Sequence, residues 1–75
     1  MSNKKQNNKM SAIVNEMRNS KGRFFGLKVK SGETINAQFR YETLDTVVIY
    51  DRNNLRQRRI YKTNLASMQM GSRSL

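Results

Sequence analysis

The chain has 75 residues with no Cys and no His, and its fifteen Lys and Arg face five Asp and Glu, a formal net charge of +10. Disulfides and thiolate metal sites are therefore excluded, and the commonest metal ligand and general base is missing. A domain this short buries only about 60% of the surface that its unfolded chain exposes, so self-association is the stabilising device that composition leaves open.

Solubility asks for a net charge of roughly 2–8 in a small domain, and the excess here is the footprint of a polyanion binder. The longest apolar run, Val47-Val48-Ile49-Tyr50, falls far short of the roughly 20 residues of a spanning helix. The N-terminus carries no apolar leader segment. A cytoplasmic protein with no membrane partner is expected. The carboxylates Glu16, Glu33, Glu42, Asp45 and Asp51 are scattered along the chain, and no glycine-rich phosphate loop is present. An enzyme is the least supported class: we expect no catalytic residues, no metal, no cofactor and no small-molecule substrate.

Residues 1–9 offer nothing to bury and carry three lysines, and they are predicted to be a disordered basic arm. Met10, Ile13, Val14 and Met17 recur at helical spacing, predicting a short amphipathic helix over 10–19 with Asn8 or Ser11 as its N-cap. Its stripe either covers one open end of a barrel or stands free as a docking surface. Ser20-Lys21-Gly22 breaks the period. Phe25, Leu27 and Val29 then alternate with polar or small residues, a first strand starting near Arg23. Ser31-Gly32-Glu33-Thr34 makes a tight turn into a second strand carrying Ile35, Ala37, Phe39 and Tyr41. After the connection 42–45, Thr46 to Tyr50 reads as a central strand, apolar on both faces. Asp51-Arg52-Asn53-Asn54 is a turn, Leu55 to Tyr61 a fourth strand, Lys62-Thr63-Asn64 a corner and Leu65 to Met70 a fifth strand. Residues 71–75 are expected to be a flexible tail. The fold class is mainly β: a short helix followed by five bent antiparallel strands in one small barrel over residues 10–70.

Several segments carry a family resemblance. The Ser31-Gly32 turn followed by Ile35, Ala37 and Phe39 resembles the first motif of the Sm-like (LSm) proteins, and Thr46-Val47-Val48-Ile49 their third strand. Tyr41-Glu42 lies where that family carries an aromatic followed by Asp. Ile60-Tyr61-Lys62-Thr63-Asn64-Leu65 resembles the second motif, closest to the Tyr-Lys-His segment of the bacterial Hfq branch, with Thr63 in place of His. The resemblance spans about residues 10–70. It departs in the 42–45 loop, which needs a one-residue shift, and at Lys62-Thr63, where an Arg-Gly pair is usual.

The resemblance implies an SH3-like barrel assembled as a homo-oligomeric ring of five to seven subunits, the fourth strand of one pairing with the fifth of the next. It implies single-stranded RNA as the partner, U-rich by family habit, bound between Tyr41–Asp45 and Lys62–Asn64. Tyr41 is either a stacking ring or a core residue. Thr43, Asp45 and Asn64 are candidates for base edges, Lys62 for a phosphate or base carbonyl, and Thr63 stands between them in the corner. Arg56, Arg58 and Arg59 form the densest basic cluster, with Arg56 and Arg58 on one face of their strand and Arg59 on the other, and suggest a charged rim. Two other readings share the composition: a charge-driven binder of duplex DNA or a ribonucleoprotein, and a protein-interaction module docking through the Met10–Met17 stripe.

Overall fold

The structure, a computed structural model, describes residues 2–75, with side chains from Lys9 onward except that of Arg73. Helix α1 runs over Ser2–Asn19. It therefore starts well before Met10, and Asn8 and Ser11 lie within it rather than capping it. Extending an existing helix adds one hydrogen bond per residue fixed, and the Asn-Lys-Lys-Gln-Asn-Asn-Lys run contains no Gly or Pro to stop it. The side chains of the expected basic arm, up to Asn8, lie outside the described ones. Ile13, Val14 and Met17 are buried in the common core, so the stripe is packed on the sheet and is not a free docking face.

The helix ends at a built stop. The buried Ser20 hydroxyl donates to the Glu16 carbonyl at 2.7 Å, and the Ser20 N–H donates to the Met17 carbonyl at 3.0 Å. Gly22, at φ +82°, then takes a left-handed turn that a side chain would strain.

Strands follow as β1 (Phe24–Val29), β2 (Thr34–Glu42), β3 (Thr46–Asp51), β4 (Arg56–Tyr61), a 3₁₀ turn (Lys62–Asn64), β5 (Leu65–Met70) and β6 (Arg73–Ser74). They form one antiparallel sheet in the order β4-β3-β2-β1-β5-β6. The first five strands are those the sequence predicts, and the helix is the predicted one extended at its start. The sheet is not closed: β4 and β6 are its two ends. Register shifts at Lys28/Val29 and Phe39/Tyr41 interrupt the ladders, and such bulges bend and twist the strands. One face of the sheet buries Phe25, Leu27, Ile35, Ala37, Phe39, Val47 and Ile49 against the helix, with Ile60, Leu65 and Met68 completing the core. β3 is buried on both faces from Thr46 to Ile49, which explains its run of β-branched residues.

The last residues correct the expectation of a flexible tail. Gly71, at φ +58°, reverses the chain, and β6 pairs Ser74 with Gln69 and Arg73 with Met70. Met68 and Leu75 exchange backbone hydrogen bonds of 3.0 and 2.7 Å. Period-two reading misses a two-residue strand because it is too short to alternate.

The β3–β4 turn is organised by Asp51, which is 1% exposed. Its carboxylate accepts from the Asn53 and Asn54 N–H groups at 2.9 and 3.2 Å and from the Asn54 side-chain amide at 2.8 Å. Arg58 adds a 3.3 Å contact. The Asn54 amide first, then the backbone donors and Arg58, hold this carboxyl below its ordinary range. Leu55 closes the turn at φ +55°, a left-handed conformation unusual for a branched side chain.

Candidate nucleic-acid interface

The corner predicted at 62–64 is the 3₁₀ turn between β4 and β5, and the 43–45 loop docks on it. The Lys62 N–H donates to the Asp45 carbonyl at 2.8 Å, and the Lys30 N–H donates to the Asn64 carbonyl at 2.8 Å. Inside the loop, the Thr46 N–H donates to the Thr43 hydroxyl at 3.1 Å, and the two threonine hydroxyls lie 2.6 Å apart. Thr43, Asp45, Lys62, Thr63 and Asn64 are thus brought together. Thr43 spends its hydroxyl on closing the loop. Asn64 is exposed and keeps its amide at the surface.

Two cavities flank the corner. One of about 230 Å³ is bounded by Met10, Leu44, Asp45, Tyr61, Lys62 and Thr63. The other, about 410 Å³, lies among Lys9, Met10, Lys30, Lys62, Thr63 and Leu65. Lysines from the helix, the first hairpin and the corner therefore meet around one hollow, a local field suited to phosphate.

Tyr41 does not belong to this group. It is 47% exposed, so it is not a core residue, and it lines a separate cleft of about 240 Å³ with Val48, Gln57, Arg58 and Arg59. The bulge between Phe39 and Tyr41 resets the alternation that pointed this ring at the core. Tyr61, 61% exposed, and Leu44, 89% exposed, stand at the corner instead. The signal for Tyr61 was in the sequence: Ile60 faces the core, so its neighbour on the strand faces out.

Glu42, which the sequence reading left without a role, is the electrostatic hub of the corner. Arg18 forms a two-pronged pair with its carboxylate, one prong at 3.0 Å, and the Lys62 ammonium approaches it at 2.8 Å. These two cations, Arg18 first, hold the Glu42 carboxyl down to about 2. Lys62 is therefore restrained by a carboxylate.

The three arginines of β4 divide. Arg58 grips Glu33 with two hydrogen bonds of 2.9 and 3.2 Å and touches Asp51, tying the first hairpin to the β3–β4 turn. This Arg58 pair in turn lowers the Glu33 carboxyl and raises its own guanidinium. Arg58 is structural, whereas Arg56 and Arg59 are exposed and remain as surface charge. Register places Arg58 opposite Ile49 and Arg59 opposite Val48, on opposite faces of β4.

Compared with known proteins, the chain matches no family model, no curated protein and no solved structure. Among the described residues, no helix is long and apolar enough to cross a membrane.

Proposed function

We propose that this chain is an Sm-like RNA-binding protein, a small bent barrel that assembles as a homo-oligomeric ring of five to seven subunits and binds single-stranded RNA. The observation that carries the reading is the docking of the 43–45 loop on the Lys62–Asn64 corner, with Tyr61 exposed beside it and lysines around the adjoining hollow. A flat ring, an exposed amide and clustered ammonium groups are the three elements that single-stranded recognition needs. In this reading Tyr61 stacks a base, Asn64 and Asp45 meet base edges, and Lys62 exchanges Glu42 for a phosphate or base carbonyl. U-rich sequence is the preference that the family resemblance suggests. The ring is supported by the unclosed sheet: β4 at one end and the Leu65–Ser67 stretch of β5 near the other present strand edges without a ladder partner among the described residues. The Sm-like resemblance and the cytoplasmic setting belong to the same proposal.

Competition titration tests it. Labelled U-rich RNA is displaced in turn by A-rich RNA and by duplex DNA of equal length at moderate salt. A clear single-stranded winner, with the difference lost on Lys62→Ala plus Asn64→Ala, is the expected result. Equal competition by duplex DNA, unchanged by those substitutions, would mean that charge alone drives binding.

A further inference from the structure

The outer face of the sheet carries a second group of residues that has no part in the corner. Cross-strand register aligns Phe24, Gln38, Tyr50 and Gln57 in one row across β1, β2, β3 and β4. Phe24 and Tyr50 are half-buried, so each ring is fixed at its base while one side meets solvent. Adjacent strands lie about 4.8 Å apart, which sets the two rings roughly 10 Å from each other with Gln38 between them. An exposed arginine covers each ring. The Arg40 guanidinium lies 5.3 Å from the Tyr50 centroid, and that of Arg52 lies 5.0 Å from the Phe24 centroid.

Two arginines over two rings are a cation–π arrangement, which by itself contributes only about 0.5–1 kcal/mol at exposed sites. Its charge balance says more. The five carboxylates of the chain lie in the helix, the loops and turns and the ends of β2 and β3, and none shares a row with Phe24, Gln38 and Tyr50. Asp51 is committed to its turn and Glu33 to Arg58. Among the described residues, Arg40 and Arg52 thus have aromatic faces as partners and no ion pair with a carboxylate.

We propose that this face is a second platform for single-stranded RNA, on which Phe24 and Tyr50 stack bases, Gln38 meets a base edge between them, and Arg40 and Arg52 take the flanking phosphates. The inference rests on the RNA-binding reading above and adds a site to it. Each guanidinium swings from its ring onto a phosphate as a base takes its place, so the aromatic face is kept covered until a strand arrives. Stacking tolerates any base, and the platform adds affinity and strand length rather than sequence preference.

The test separates rings from charges. Affinity for a labelled single-stranded RNA is measured against salt for the intact chain, for Phe24→Leu with Tyr50→Leu, and for Arg40→Gln with Arg52→Gln. The ring variant should bind at least tenfold more weakly with an unchanged salt slope. The arginine variant should lose about 0.7 of logarithmic salt slope for each charge removed. If both variants bind like the intact chain while Lys62→Ala with Asn64→Ala weakens binding, the platform is wrong and the corner stands. If the intact chain binds no RNA, both proposals fall. Should the ring variant unfold, the arginine variant decides alone, because both arginines are exposed: an unchanged slope overturns the platform.

Discussion

Asp51 and Glu42 are both carboxylates at the end of a strand, and both tie separate segments together, yet they do so in opposite ways. Asp51 is buried, and most of its partners are amide donors of its own turn, with Arg58 added from β4. Glu42 lies nearer the surface and is held by two long cationic side chains, Arg18 and Lys62. A buried carboxylate surrounded by fixed dipoles has nowhere else to go, and its removal strands its donors. A carboxylate held by mobile ammonium and guanidinium groups can be exchanged for another anion. The first arrangement serves the fold, and in the RNA-binding function proposed above the second keeps a binding cation in reserve.

Substitution at the two positions puts this contrast to the test. Asp51→Ala is expected to have the largest effect, lowering the midpoint of thermal unfolding by about 10 °C, because the turn donors lose their acceptor and Arg58 keeps only Glu33. Circular dichroism melts will read it. Glu42→Gln should leave stability at neutral pH within about 1 kcal/mol, as suits a solvent-accessible pair. In the same variant, affinity for single-stranded RNA should rise about three- to tenfold as Lys62 and Arg18 are released. A large fall in stability without a gain in affinity would place Glu42 in the same class as Asp51.

Acid titration provides the next measurement. Glu42 titrates lower in the folded chain than the ordinary 4.5, at about 2, so its contribution is complete above about 4.5 and is lost as pH falls toward 2. Melts recorded from pH 6 to pH 2 should therefore show a shallower decline for Glu42→Gln than for the intact chain. The smallest expected effect is at Leu55. Leu55→Gly relieves a left-handed branched residue and should stabilise by about 0.5–1 kcal/mol, and that gain should shrink in the Asp51→Ala background if the turn acts as a unit.

Much of the fold was legible because alternation is a strong signal where one face is buried. Phe25-Leu27-Val29 and Ile35-Ala37-Phe39 announce their strands, and β5 begins and ends where its residues predict. What failed did so for local reasons. The polar start of α1 has no stripe to read, β6 is too short to alternate, and the bulge after Phe39 turned Tyr41 away from the core. In the candidate site, the proximity of 43–45 and 62–64 came from the family resemblance. The Glu42 hub and the Phe24–Tyr50 row came only from the structure, since both depend on register between strands distant in sequence. Arg58 shows the same limit: charge density along β4 suggested a rim, and only the position of Glu33 and Asp51 revealed a structural clamp.

The folded-back end of the chain has a consequence for kinetics. β6 occupies the edge of β5 from Met68 onward and is tethered by the two residues Gly71 and Ser72, whereas β4 carries no such cover among the described residues. A tether that short keeps its strand at an effective concentration in the millimolar range or above. In the proposed ring, a neighbouring copy seeking the whole of that edge must outcompete it. Pairing through Leu65–Ser67 alone needs no displacement, and the remainder would follow by branch migration, with β6 peeled away one residue at a time. Growth of such a contact would be fast to begin and slow to complete, and shortening the chain before Arg73 would remove the slow stage.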